Sequence, residues 1–299
     1  MPITDDQKYY LTTLTRYLYS RIEVKQSLFI SLLQRDVSQA LFWGYELYYS
    51  GFQEETFDFI KDIYQEIYEK LNPDLQTIIL NMLNEWNDCD SNEKDCKLGS
   101  IIYTLSQREY DMVAFAKSKL SYNITNDTVH ITEHITPLCI CTMLPEHIEQ
   151  YKTHIVSSDT DEKAIHVLST LKLYPIIKDH NTLFGTQMPE EFSNIYHDTL
   201  ENWLFYAARS PVWLRRIEEH NGTIDSDNMK VIFEDEDDEV RFCELWDYVP
   251  DELSSNIQEL SLGNGKEKQL TMKQFCKKHK YTVVSKITKK KVVKKSDKS

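Results

Sequence analysis

The residues best suited to chemistry lie near the middle of the chain, where His130, His134, Cys139, Cys141 and His147 fall close together. Thiolate and imidazole are the ligands zinc prefers. Cys139 and Cys141, two apart, would share one face of a strand, and His130 and His134 one face of a helix. β-Branched neighbours argue against that helix, and the spacing matches no zinc module. The expectation is therefore buried cysteines and surface histidines, with no cofactor implied.

Two further clusters invite a phosphate or metal reading. The run Glu234-Asp-Glu-Asp-Asp-Glu239 follows a short apolar stretch, and clustered carboxylates suit hard cations. Two-metal sites gather their carboxylates from separate elements, however, whereas a continuous run suits the exposed start of a helix, where negative charge meets the positive end of the dipole. The run is also placed to dock the basic tail. Arg209, Arg215 and Arg216 form the densest positive patch of an acidic body, and guanidinium forks fit phosphate or carboxylate. Arg215 nevertheless precedes Glu218 and Glu219 at the spacing of helical ion pairs. Trp203, Phe205, Tyr206, Trp213 and Trp246 could line a binding surface, but aromatic residues at helical spacing more often build a core.

Charge is divided unevenly. The chain carries −14 in total, yet from Lys266 onward 13 lysines face only Glu267 and Asp297, which leaves +11 on the tail and −25 on residues 1–265. Such a body repels nucleic acid and membrane phosphates, and the tail attracts polyanions or folds back on its own body. Lys289, Lys290, Lys291, Lys294 and Lys295 are the densest part of it, suited to non-specific attachment to nucleic acid or to trafficking. Lysine without interleaved arginine or aromatic residues supplies attraction and no base recognition.

The elements that must position these residues read mainly as helices. Seven Gly and eight Pro in 299 residues are few, which suits helices joined by short connections. Tyr10, Leu14, Tyr17 and Leu18 make one helical stripe that continues through Ile22 to Leu33. Asp36 and Gln39 have capping-box spacing, and Gly51 closes the helix that follows. Phe57, Ile60, Tyr64, Ile67 and Leu71 keep a helical period, and Asn72-Pro73 ends that helix and caps the next, Leu75 to Trp86. After a polar insert at 87–95, helices are expected over 98–105 and 109–120. The pattern then weakens, with possible strands at 129–132 and 138–141, before helices at 161–173 and 190–208. Ser210-Pro211 repeats the cap-and-proline start, Asn221-Gly222 ends that helix, and Lys230-Val-Ile-Phe233 is a short strand. The expected fold is mainly α: a helical domain over 1–120, a helical domain with short strands over 121–265, and a Lys-rich flexible tail over 266–299. Within the tail, Leu270, Phe275 and Cys276 could dock as one amphipathic turn.

No run approaches the roughly 18 apolar residues of a membrane span, no signal-peptide pattern opens the chain, and the six cysteines fit free thiols of a reducing compartment. An intracellular protein without a membrane partner is expected.

The segments Ala40-Leu-Phe-Trp-Gly-Tyr-Glu-Leu-Tyr-Tyr-Ser-Gly-Phe52 and Trp203-Leu-Phe-Tyr-Ala-Ala-Arg-Ser-Pro-Val-Trp213, with Tyr248-Val-Pro-Asp-Glu252, resemble an uncharacterised protein family of nucleocytoplasmic large DNA viruses. The likeness covers most of residues 10–262 and departs from the family pattern at Val249 and Leu253. It implies a viral protein of the host cytoplasm, viral factory, nucleus or virion, and no mechanism. Residues 27–80 are similar, more locally, to the helical collar of clamp-loader-related ATPases. No glycine-rich phosphate loop accompanies that likeness, which excludes the ATPase itself. The expectation is a non-enzymatic helical interaction protein with an unidentified protein partner. A genome-associated accessory protein holding nucleic acid through the tail is the alternative, and an enzyme with an unrecognised site the third reading.

Overall fold

A computed structural model of the chain describes residues 9–113, 115, 123–125, 140–152, 171, 173–177, 200–246, 248–249, 252–262, 270–278 and 282–284. It is predominantly helical, and the described β-structure is confined to two antiparallel pairs of short strands. The described helices include none long and apolar enough to cross a membrane.

The central element is α2 (Val37–Tyr49), in which every residue from Ala40 to Tyr48 is buried. A helix apolar around its whole circumference has to be wrapped by others. The wrapping comes chiefly from α1 (Arg21–Gln34) before it, α3 (Gln53–Ile63) after it, and α5 (Ser91–Ser106), with α4 (Gln76–Glu85) packed on α3. Asp36 caps α2 as expected, its Oδ1 accepting from the Gln39 N–H at 3.0 Å, while the Gln39 amide donates to Oδ2 at 3.0 Å. Gly51 ends the turn with φ of +97°, and a Cβ there would lie 2.5 Å from Cβ of Pro211. Only glycine meets both conditions at once.

Several local expectations are corrected. Residues 12–20 are not helical, although Leu14, Tyr17 and Leu18 are all buried. Their backbone groups are bound by distant partners: Ser50 Oγ accepts from Arg16 N, Glu46 Oε1 from Tyr17 N, and Thr15 O from the Trp213 indole. Asn72 does not cap the helix after it; its amide donates backwards to Tyr68 O at 2.9 Å and across to Glu109 O at 2.8 Å. The polar insert is half helix, because Asp90 caps α5 through the Glu93 N–H. Ser210 donates to Ala207 O and caps nothing, although Pro211 does open the helix.

Beyond α5, a strap over 140–152 contains the single turn α6 (Pro145–Ile148), and α7 (Trp203–Ala207) leads into α8 (Pro211–Glu218). A hairpin follows, with β2 (Gly222–Asp225) paired to β3 (Lys230–Phe233) in the register Thr223↔Ile232 and Ile224↔Val231. Then come α9 (Glu236–Trp246), α10 (Ser255–Leu262) and α11 (Met272–Lys278). Phe275 and Cys276 are fully buried, so the amphipathic turn expected in the Lys-rich segment does dock. The strand β4 (Thr282–Val284) pairs with β1 (Asn123–Thr125), a pairing with no signal in the local sequence. The strands expected at 129–132 and 138–139 and most of the helices expected at 109–120, 161–173 and 190–208 lie outside the described residues.

Candidate functional site

The arginine patch does not come together as a phosphate site. Arg216 is 6% exposed, its guanidinium held between the rings of Trp213 and Trp246 at 4.5 and 4.1 Å. Burial, with the Arg16 charge beside it, lowers its pKa. Arg209 bonds Thr12 Oγ1 and lies over the rings of Phe205 and Tyr206 at 4.9 Å, and burial lowers its pKa too. Only Arg215 is exposed, and it pairs with Glu219 at 3.7 Å, the helical spacing expected. Two of the three cations therefore act as flat partners for aromatic rings. Sequence spacing could not reveal this for Arg216, because Trp246 arrives from another helix.

Trp43 and Trp213 are fully buried, and Phe205, Tyr206 and Trp246 nearly so, while Trp203 is half-buried against Trp213 at 5.5 Å. The aromatic group is core, as expected. Beneath it lies a polar pair the sequence did not single out. Arg16 Nε meets Glu46 Oε2 at 2.8 Å with both side chains almost fully buried, and the guanidinium lies 4.9 Å from the rings of Tyr17 and Tyr49.

Of the proposed metal ligands, His130, His134 and Cys139 lie outside the described residues. Cys141 and His147 both line a cleft of about 780 Å³ where the strap crosses Val37 and Leu41 of α2 and Tyr103 of α5. His147 Nδ1 is used locally, accepting from the Leu144 N–H at 3.2 Å to close the turn. The Cys141 N–H donates to Thr104 Oγ1 at 3.0 Å. Among the described residues no group of three His, Cys, Asp or Glu is arranged to hold a metal. The five described cysteines are free thiols, and burial raises the pKa of Cys96 and Cys276, which makes both poor nucleophiles. Lys289, Lys290, Lys291, Lys294 and Lys295 also lie outside the described residues.

What the fold does assemble is an acidic surface around the hairpin. Gly222 starts β2 so close to α8 that a Cβ would lie 2.5 Å from Cγ2 of Ile217, which seats the strand against the helix. Phe233 turns inward to Phe242 of α9 at 5.0 Å. Asp225 builds the turn: Oδ1 accepts from the Asp227 and Asn228 N–H groups and Oδ2 from the Asn228 amide at 2.6 Å. These bonds, that of the Asn228 side chain first, hold its carboxyl below the usual range. Alternation then leaves Thr223, Asp225, Lys230 and Ile232 on the outward face.

The acidic run is spread along the first turn of α9. Asp235 Oδ1 caps the helix through the Asp238 N–H at 2.8 Å, and Asp238 bonds Asn221 and Arg241. Glu234, Glu236, Asp237 and Glu239 remain exposed. Residues 218–239 thus carry ten carboxylates against one lysine. They also hold Ile224, Met229 and Ile232, which with neighbouring Val240 are four of the seven large hydrophobic residues exposed in the described structure. The sequence marked the run and the strand; what it lacked was the register that turns Ile232 outward.

The chain matches no protein-family model, no curated protein and no solved structure. Its class, a predominantly helical protein with an acidic hairpin on its surface, rests on its own architecture.

Proposed function

We propose that this is a non-enzymatic interaction protein whose helical body presents one partner surface, the β2–β3 hairpin with the first turn of α9. The observation that carries the reading is the concentration of exposed apolar side chains in the most acidic stretch of the body. Isolated exposed apolar residues are ordinary, whereas a cluster rimmed by charge marks a contact surface. The partner that fits is a basic protein segment able to lie extended. Its lysines or arginines meet Glu234, Glu236, Asp237 and Glu239, and its β-branched residues, alternating along an extended strand, meet Ile232 on the outward face and the exposed Ile224 on the opposite one. The viral likeness of the aromatic segments supports placing this contact inside an infected cell.

The test is fluorescence anisotropy of a labelled lysine- and valine-rich peptide against the full chain. Binding should weaken at least about tenfold in an Ile224→Ser/Ile232→Ser variant, the loss of about 1.4 kcal/mol of contact energy. Equal binding by variant and wild type would place the partner surface elsewhere.

A further inference from the structure

The hairpin is a two-stranded sheet, and among the described residues no third strand pairs with either of its outer edges. Among the described residues β2 and β3 pair only with each other, so each strand turns its other row of backbone N–H and C=O groups outward. Natural proteins protect such edges, because an open edge is a template for another strand. The protection here is negative charge, which repels acidic chains and selects basic ones.

The same chain contains a segment with the complementary pattern. In Ser285-Lys-Ile-Thr-Lys-Lys-Lys-Val-Val-Lys-Lys295 the β-branched residues Ile287, Thr288, Val292 and Val293 alternate in pairs with Lys286, Lys289 to Lys291, Lys294 and Lys295. β-Branched side chains favour the extended backbone that edge pairing needs. The segment follows directly on the strand Thr282–Val284, already held in antiparallel pairing to 123–125. Counted from Val284, Lys289 to Lys295 can extend to roughly 16–36 Å, comparable with the ~19 Å radius of gyration of a domain of this length. Tethering keeps its local concentration high, so a contact too weak for two separate molecules still forms within one.

We propose that the acidic hairpin is a dock for the chain's own Lys-rich segment 285–295, which adds to it as an extended strand and so competes with any outside partner. This rests on the hairpin being the partner surface. It goes beyond that reading by naming the occupant and by making occupancy self-limiting. At physiological ionic strength charges further apart than about 8 Å are screened, so the attraction requires the lysines to lie directly on Glu234 to Glu239 rather than near the body in general.

The experiment uses the full chain and a zero-length carbodiimide cross-linker, which joins a lysine to a carboxylate only in contact, with mass spectrometry of the products. Intramolecular links from Lys286 to Lys295 should concentrate on residues 218–239 and disappear in high salt. Links scattered over carboxylates of the whole body, or links joining isotopically different copies in a mixed sample, would overturn the proposal. A Lys289/Lys290/Lys291/Lys294/Lys295→Gln variant keeps the hairpin intact and supplies the second arm. It should bind the labelled peptide at least about tenfold more tightly than the wild type, because its dock is vacated. Equal affinity, with the Ile224→Ser/Ile232→Ser variant still defective, would sink the self-docking and leave the hairpin as the partner surface. Loss of both differences would sink the two readings together.

Discussion

The helical body around α2 and the module from α8 to α9 use charge in opposite ways. Around α2 charges are turned inward and paired: Arg16 with Glu46, and Lys152 with the buried Asp95 at 3.2 Å. In the module most carboxylates face solvent, Arg215 and Arg241 pairing with one each, while Ile224 and Ile232 stand exposed among them. A buried pair that cannot exchange partners serves packing and position. Exposed charge beside exposed apolar surface costs the fold nothing to change, and is free to serve a partner. The difference separates the charges that hold the fold from those the fold leaves exposed, and each half of it can be tested.

The largest effect should come from alkali. Tyr17, Tyr19 and Tyr45 of the helical body have phenol pKa values raised above the ordinary 10, chiefly by burial, and Tyr110 is pushed up to about 12 for the same reason. In the module's neighbourhood Tyr248 is raised likewise. The folded state keeps these protons while the unfolded chain loses them. Stability is therefore fully present below pH ~10 and falls above it by about 1.4 kcal/mol per pH unit for each such phenol. Tyrosinate absorbance at 295 nm and far-UV circular dichroism should change together above pH ~10. Titration of most tyrosines ahead of unfolding would mean that the body is more open than described.

Next come truncations on the two sides of the buried interface. Glu46→Ala strands Arg16 and removes the acceptor of Tyr17 N, which should cost about 3–5 kcal/mol in urea unfolding. Trp213→Ala removes a fully buried ring and one face of the Arg216 stack, also about 3–5 kcal/mol. If Glu46→Ala costs under about 1 kcal/mol, the pair is not the positional lock that the comparison needs.

Gly51→Ala should cost about 1–3 kcal/mol, because φ of +97° is strained for alanine and the new methyl meets Pro211. A neutral result in the same denaturation assay would show that the junction yields. The smallest effect belongs to the module: Ile224→Ser/Ile232→Ser should leave stability within about 0.5 kcal/mol of wild type. A large loss would turn those side chains into core and remove the contrast between the regions.

Much of the helical body was legible in the sequence. The start and end of α2 follow from Asp36, Gln39 and Gly51, residues that act within one or two turns of where they stand. Burial of Trp213 followed from helical spacing. The larger failures share one physical cause, a bond made far along the chain, whereas Ser210 fails for a local reason, its bond back to Ala207 O. Residues 12–20 keep a helical stripe of apolar side chains, yet their backbone is bound by Glu46, Ser50 and Trp213. Asn72 and Ser210 were read as caps, and both point backwards to carbonyls instead. Pairing of 123–125 with 282–284 spans more than half the chain, and no local pattern encodes such a register. At the candidate surface the acidic run and Lys230-Val-Ile-Phe233 were visible. Their partner β2 was not, because Gly222-Thr-Ile-Asp225 reads as the end of a helix rather than as a strand.

The junction at Thr15 and Gly51 also has a consequence for biosynthesis. The Trp213 indole bonds Thr15 O, Tyr9 Oη donates to Arg209 O at 2.8 Å, Leu14 N reaches Tyr206 O, and Pro211 closes over Gly51. Each of the first three joins residues nearly 200 positions apart. At ribosomal rates of about 5–20 residues per second, the early segment waits roughly 10–40 s for its partners to be made. During that interval the apolar residues Leu14, Tyr17 and Leu18 have neither a helix of their own nor the Trp213 wall to rest on. Residues 9–20, made long before the partners they bond, are thus among the last to reach their final place, and the nascent chain, more than the finished one, is the form that needs a chaperone.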